Sequence, residues 1–142
     1  MKRIFIFALS FSLAACTSTA TLRSANQPVS LRVNEKPAIN IAEGTKQTYA
    51  TTSFGQYKFK ATQDGAPPLY GIVPLKFNGG YLATDILFFA PAMFFNLREA
   101  YPFYEFDLDK GEVKYRKKES DQWLVYKPTP AEVAHAKAYF KE

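Results

Sequence analysis

A single cysteine, Cys16, lies at the end of an apolar leader, and the chain contains no other. A chain with one cysteine cannot form an internal disulfide, so its fold has to be stabilised by side-chain packing alone. Aromatic residues make up 16% of the sequence and supply large apolar surfaces for such packing. The sequence therefore predicts a domain that depends on its hydrophobic core and not on covalent cross-links.

The leader has three parts in a fixed order. Lys2 and Arg3 give it a cationic start, the apolar run Ile4–Leu13 follows, and small residues lead up to Cys16. As a helix, a run of ten residues rises about 15 Å, whereas a bilayer core is about 30 Å thick, so the run is too short for a membrane-spanning anchor. A buried N-terminal helix is the other alternative. We predict instead that residues 1–15 are an export signal peptide.

The last four residues of this region, Leu-Ala-Ala-Cys at positions 13–16, closely resemble the lipobox of bacterial lipoproteins. The resemblance implies that Cys16 is acylated, becomes the first residue of the mature protein and anchors it to a membrane of the bacterial envelope. The next residue is Thr17 and not aspartate. That position resembles the pattern of lipoproteins sorted to the outer membrane, so we expect this localisation, with the domain on the periplasmic or the surface side.

The composition downstream of the leader predicts one domain. Residues 16–28 are small, polar and aperiodic, and we expect them to form a flexible tether behind the lipidated cysteine. Residues 29–142 are long enough for a single globular domain with its own core. Without Lys2 and Arg3, the net charge falls from +5 to about +3. A charge of this size does not indicate a nucleic-acid partner.

The patterning of the mature chain predicts an α+β fold built on a mainly antiparallel β-sheet. Apolar residues alternate with polar ones from residue 29 onward, as in a half-buried strand. A hydrophobic helical segment is expected at about 82–97. A C-terminal helix is expected at about 130–141, because Thr129 and Glu132 form a capping box around Pro130.

The clearest β hairpin is expected over residues 101–118, where apolar and charged residues alternate on both arms. Placing Leu108 opposite Val113 closes a four-residue loop. That register sets Glu105 across from Arg116 on the charged face of the hairpin.

The segment Ile86–Phe95 has ten residues without a polar side chain and contains Pro91 at its centre. It is too short to span a bilayer, and the proline would kink a helix or separate two short ones. Three interpretations remain open: a buried helix or helix pair under the sheet, a membrane-dipping or interfacial element, and an apolar surface for a partner. The residues that distinguish them are four aromatic side chains, Phe88, Phe89, Phe94 and Phe95.

No pattern of residues predicts catalysis, a metal site or a cofactor. The only histidine, His135, falls in the C-terminal helix among small and charged residues. The acidic stretch at 107–112 superficially resembles a calcium loop, but Lys110 replaces an oxygen donor, and a hairpin turn explains the stretch better. Lys117 and Lys118 lack partners in the expected hairpin and are candidates for contact with anionic lipid head groups or with an envelope partner.

The mature domain also resembles small β-rich lipoproteins with a PEGA-like sheet. The likeness rests on the glycine-led alternating strand at 55–61 and on the aromatic hairpin strand that contains Tyr104 and Phe106. This resemblance implies no reaction. The sequence therefore predicts a non-enzymatic envelope lipoprotein, tethered through acylated Cys16, that binds or scaffolds another envelope component, either a protein or a glycolipid. The alternative is a membrane-associated accessory protein that contacts lipid directly through residues 86–95.

Overall fold

The computed structural model describes residues 17–50, 56–77 and 98–142. Within these ranges the chain is mostly β-sheet with one helix, which is consistent with the expected α+β class. The strands are β1 (Thr17–Ser24), β2 (Val29–Val33), β3 (Ile39–Ile41), β4 (Glu43–Ala50), β5 (Lys58–Thr62), β6 (Leu69–Ile72), β7 (Leu75–Phe77), β8 (Arg98–Ala100), β9 (Phe103–Asp107), β10 (Glu112–Arg116) and β11 (Leu124–Tyr126). The helix, α1, spans Pro130–Phe140. The predicted hydrophobic helical segment at 82–97 lies outside the described residues.

Most strands pair with antiparallel neighbours. A five-stranded sheet has the order β11-β10-β9-β1-β4, a four-stranded sheet has the order β3-β2-β5-β6, and β7 pairs with β8. Among the described strands, β1 and β9 form the one parallel pair. The expectation of a mainly antiparallel sheet is therefore confirmed, although the strands divide into separate sheets.

Aromatic side chains join the two larger sheets. Phe59 of β5 meets Phe106 of β9 edge to face, with ring centroids 5.4 Å apart, and both rings are almost fully buried. Tyr49 of β4 meets Tyr57 at 5.3 Å in a similar geometry. Such pairs add about 0.5–1.5 kcal/mol to the free energy of area burial. The core between the two sheets thus combines these aromatic rings with buried aliphatic side chains.

The structure corrects the prediction of a flexible tether at 16–28. Residues 17–24 form β1, an inner strand of the five-stranded sheet between β9 and β4, with Ala20 and Leu22 fully buried. Three of the six polar residues in β1 are threonines, whose branched side chains favour strands. Only two apolar residues alternate with them, so the strand pattern is weak. Cys16 and the leader lie outside the described residues.

The hairpin strands and their faces are as predicted, but the register is wrong by two residues. Glu105 lies across from Lys114, not from Arg116. The turn sets this register: the carboxylate of Asp107 accepts a hydrogen bond from the Lys110 backbone N–H at 3.1 Å, and Gly111 takes a positive φ of 65°. Because the shift is even, every side chain keeps its predicted face and changes only its cross-strand partner.

Helix α1 begins where the capping signal predicts. The Thr129 hydroxyl accepts from the Glu132 backbone N–H, and the Glu132 carboxylate accepts from the Thr129 backbone N–H. The helix packs on the outer face of the four-stranded sheet, where the Lys58 ammonium lies 4.9 Å from the centroid of the Tyr139 ring. The described part of the molecule therefore has three layers: helix, four-stranded sheet and five-stranded sheet.

Candidate functional site

The outer face of the five-stranded sheet carries charges in an ordered row. Glu43, Arg23, Glu105 and Lys114 lie in register across β4, β1, β9 and β10, so that their charges alternate in sign. The Arg23 Nη2 atom is 2.5 Å from Glu105 Oε2, and Lys114 Nζ is 3.3 Å from Glu105 Oε1. The Glu105 side chain is only 12% exposed. Its carboxylate is thus shared between two cations from neighbouring strands.

A second row on the same face combines aromatic and cationic side chains. Thr21, Phe103 and Arg116 are in register across β1, β9 and β10, and Trp123 immediately precedes β11. The Arg116 guanidinium carbon lies 4.2 Å from the Trp123 ring and 5.6 Å from the Phe103 ring. Arg23 approaches the same indole to 4.9 Å. Two guanidinium groups therefore lie within cation–π distance of one tryptophan.

These two rows border a cleft of about 510 Å³. Its lining mixes guanidinium groups, carboxylates, hydroxyl groups and aromatic rings: Thr21, Arg23, Ser24, Ala25, Ala42, Glu43, Gly44, Phe103, Tyr104, Glu105, Arg116, Glu119 and Trp123. The volume falls within the range of small-molecule sites. The cleft is open to solvent and lies over the parallel β1–β9 junction, where segments distant in sequence meet.

The two arginines of the cleft differ in how their charge is compensated. Arg23 is paired with Glu105, whereas no carboxylate of the described residues forms an ion pair with Arg116. The Arg116 Nη1 atom makes one long contact, 3.5 Å, with the carbonyl oxygen of Asp121. The register explains this difference, because Lys114 occupies the position beside Glu105 that was predicted for Arg116.

Both arginines also retain hydrogen-bond donors. Their Nε atoms are buried and have no hydrogen-bond partner within the described part of the chain. A buried donor without a partner costs about 1–3 kcal/mol, so buried donors in native proteins are nearly always satisfied by protein, water or ligand. The cleft lining holds two guanidinium groups and three carboxylates, so it is not positive overall. Among the described residues, its one cation without an ion pair is Arg116, and Glu43 and Glu119 supply acceptors on the rim.

Other buried polar groups on this half of the molecule have structural roles. Asp107 and Glu112 continue the charged face, and Lys127 Nζ lies 3.7 Å from a Glu112 carboxylate oxygen. Within the described ranges, no three His, Cys, Asp or Glu side chains are arranged to hold a metal ion. The Tyr104 hydroxyl donates to the Pro74 carbonyl oxygen at 2.5 Å, and burial raises the pKa of Tyr104 well above its usual range.

A further tyrosine ties β11 to the other sheet. The Tyr126 hydroxyl oxygen accepts a hydrogen bond from the Ile72 backbone N–H at 3.0 Å, and burial raises the pKa of Tyr126 to about 12. Its phenol therefore stays protonated at neutral pH. Tyr126 holds the strand that follows Trp123, and so helps to fix one wall of the cleft.

Most of the candidate residues named from the sequence do not line the cleft. Cys16 and the four phenylalanines of the apolar segment, Phe88, Phe89, Phe94 and Phe95, lie outside the described residues. Lys117 and Lys118 are exposed in the loop between β10 and β11, and the Lys118 backbone N–H donates to the Asp121 carboxylate at 3.1 Å. His135 is exposed on α1.

Sequence reasoning missed the residues that form the cleft. The sequence places Arg23 in the expected tether and sets Arg116 across from Glu105, and Trp123 is not among the candidate residues. One signal was available: Trp123 is the single tryptophan of the chain and follows the basic stretch that contains Arg116. Its contact with Arg23 depends on the parallel pairing of β1 with β9, and no local sequence pattern predicts that pairing.

Comparisons of this chain with known proteins give no match. No protein-family model matches the chain. Searches of curated proteins and of solved structures also return no significant match. The one helix within residues 17–50, 56–77 and 98–142 is too short and too polar to cross a membrane.

Proposed function

We propose that this protein is a non-enzymatic binding module of the bacterial envelope whose ligand site is the cleft around Trp123. The observation that carries the proposal is Arg116, a guanidinium without an ion-pair partner in the described residues that stacks on Trp123 at the cleft. Guanidinium groups stay protonated throughout the physiological pH range. The two arginines therefore act as fixed hydrogen-bond donors, which suits recognition better than acid–base chemistry.

Site-specific crosslinking in intact envelopes tests this proposal. The photo-crosslinking residue p-benzoylphenylalanine, placed at Glu119 on the cleft rim, should capture a bound molecule. The same residue at His135, which is exposed on the opposite layer, serves as the matched control. The Glu119 adduct should disappear when Arg116→Gln is added. Equal labelling at both positions, or an adduct insensitive to Arg116→Gln, would contradict a ligand site in the cleft.

The proposal includes attachment to the outer membrane through acylated Cys16, as the lipobox-like sequence implies. Cys16→Ser should abolish incorporation of a labelled fatty acid and move the protein out of the membrane fraction. Fatty-acid labelling that persisted in this variant would show that the lipid is attached elsewhere. This experiment does not depend on the cleft, so the proposed anchor and the proposed binding site are tested separately.

A second candidate function is direct contact with lipid through the apolar segment at 86–95. Phe77 and Arg98, which flank the region that contains this segment, are cross-strand partners in β7 and β8. The Ser18 hydroxyl of β1 donates to the Ala100 carbonyl oxygen at 3.2 Å, close to the attachment point of Cys16. The apolar region and the lipid anchor therefore join the fold at the same end, which supports a shared membrane-facing side.

Vesicle binding separates this candidate from the first. A chain that begins at Thr17 keeps every described strand but has no acyl group, and it should still bind vesicles that contain anionic lipid. Substituting serine for Phe88 and Phe89 should remove that binding. No binding by the unsubstituted chain at low salt would rule out direct lipid contact and leave the cleft proposal unaffected.

A further inference from the structure

The charges in the cleft suit an anionic group of small total charge. Arg116 borders the cleft and lacks an ion-pair partner among the described residues, so its guanidinium charge is available to a carboxylate or a phosphate. Glu43 and Glu119 also line the cleft, and Glu105 already neutralises Arg23. A long polyanion would meet these carboxylates and be repelled. The arrangement therefore favours a ligand with one localised negative charge.

The rest of the cleft suits a body rich in hydroxyl groups. A volume of about 510 Å³ is much larger than a single ion requires. Carboxylates at Glu43 and Glu119 can accept hydrogen bonds from hydroxyl groups, and the Thr21 hydroxyl can donate or accept. The Ser24 hydroxyl donates to the Gln27 carbonyl oxygen and can still accept. The Trp123 indole supplies an apolar surface beside these polar groups. The cleft thus surrounds one cation with hydrogen-bonding groups and an aromatic ring. This combination matches the surface of a sugar that carries an acid group.

We infer that the cleft binds a small anionic sugar, with its carboxylate or phosphate against Arg116 and its hydroxyl groups toward Glu43 and Glu119. This inference rests on the proposed function, since it names the ligand class of the same site. Carboxylate-bearing and phosphate-bearing sugars share the chemistry that Arg116 recognises. Glu105 is not free to take part, because Arg23 and Lys114 occupy both of its oxygens.

Trp123 provides a built-in reporter for the test, because it is the only tryptophan in the chain and lies in the cleft. The protein extracted from membranes into detergent micelles is titrated with N-acetylmuramic acid, with N-acetylglucosamine 1-phosphate and with neutral N-acetylglucosamine. At least one acidic sugar should change the Trp123 fluorescence saturably. The neutral sugar should bind at least about tenfold more weakly, and the ratio of the two acidic sugars identifies the preferred acid group.

Variants link that signal to Arg116. Arg116→Gln should weaken binding of the acidic sugar by about tenfold or more, and Arg116→Lys should weaken it less because the charge remains. Arg32→Gln is the matched control: Arg32 also approaches an aromatic ring, Phe140, at 5.5 Å, but it lies on the outer face of the four-stranded sheet. This variant should bind as the wild type does. Thermal unfolding of each variant confirms that the fold is retained.

The result that overturns the inference is specific. An anionic sugar is excluded as the ligand if neither acidic sugar gives a saturable response, or if the neutral sugar binds as tightly as the acidic ones. It is also excluded if Arg116→Gln leaves the affinity unchanged. If the Glu119 crosslink forms in envelopes while the sugars fail to bind, the binding module stands and only its ligand class is wrong. If both fail, the cleft is not a ligand site.

Discussion

Glu105 holds two cations from different strands, and most of the charge balance of the cleft depends on this one side chain. Its carboxylate contacts Arg23 on β1 and Lys114 on β10, and it is 12% exposed. Removing one member of a mostly buried ion pair leaves the remaining charges uncompensated and is strongly destabilising. The Arg23 side chain is 44% exposed, so solvent screens part of this loss.

We therefore expect Glu105→Gln to lower the free energy of unfolding by about 2 kcal/mol, measured by urea denaturation. The matched control is Glu119→Gln. Glu119 is an exposed carboxylate on the same cleft without an ion pair among the described residues, and its substitution should change stability by less than about 0.5 kcal/mol. Similar effects for both variants would mean that the contacts of Glu105 contribute little to stability.

At the scale of the element, β1 is the clearest departure from what the sequence predicted. Leu22 is 1% exposed inside the sheet, whereas Thr19 on the same strand is exposed. Leu22→Ala should destabilise the protein by about 3 kcal/mol, because it removes a large buried side chain from a packed core. Thr19→Ala should be nearly neutral. Denaturant unfolding of the two variants checks this, since a flexible tether would tolerate both substitutions equally.

The end of α1 is attached to the four-stranded sheet by a contact that depends on pH. Glu142 accepts hydrogen bonds from Lys60 and from the Tyr70 hydroxyl, and these contacts lower the pKa of its carboxyl. A carboxyl whose pKa is lower in the folded state adds stability above its unfolded pKa, about 4.3, and loses it as the pH falls. The hydrogen bond with Glu142 raises the pKa of Lys60, so its contribution is present below about 10.4 and is lost above.

The contact should therefore persist from about pH 5 to about pH 10 and weaken on either side. Observed by carbon-13 NMR, the side-chain carboxyl of Glu142 should titrate below the ordinary range of a glutamate. Lys60→Met should raise that midpoint clearly, because the Lys60 hydrogen bond is the largest cause of the shift. Lys137→Met is the control and should raise it less, since Lys137 acts only through its charge. Equal shifts in the two variants would contradict the assigned contact.

Elements specified by neighbouring residues could be read from the sequence, and those specified by distant residues could not. The capping box of α1 and the two faces of the β9–β10 hairpin depend on residues a few positions apart, and both were predicted. The register of that hairpin depends on the turn conformation around Gly111, which residue alternation does not determine. Strand β1 was missed because its stability comes from β9 and β4, on either side of a weakly patterned segment.

At the scale of the whole molecule, the cleft exists because the two ends of the described chain meet. Arg23 near the N-terminus reaches Trp123 near the C-terminus through the parallel β1–β9 pairing. The charge and the aromatic content follow from the composition alone. Which residues meet in the cleft does not, because a parallel pairing between strands about eighty residues apart leaves no local sequence signal. The same pairing links the cleft to Cys16, the proposed site of acylation, since β1 begins directly after it.

That linkage predicts how far the cleft lies from the membrane. Thr21 is in register with Phe103 and Arg116, and it follows Thr17 by four residues, or about 13 Å along the strand. If Cys16 is acylated, as proposed, no flexible segment separates the bilayer from the sheet. Trp123 is then held near the lipid head groups at a nearly fixed distance.

A spacer tests this geometry directly. Ten glycine and serine residues inserted between Cys16 and Thr17 add a root-mean-square reach of about 18 Å without altering the sheet. Energy transfer from Trp123 to dansyl-labelled head groups in vesicles should fall markedly, while thermal stability stays unchanged. The same insertion between Asp64 and Gly65, in the loop between β5 and β6, is the control and should leave the transfer as it was. Unchanged transfer with the N-terminal spacer would mean that something other than β1 holds the domain at the membrane.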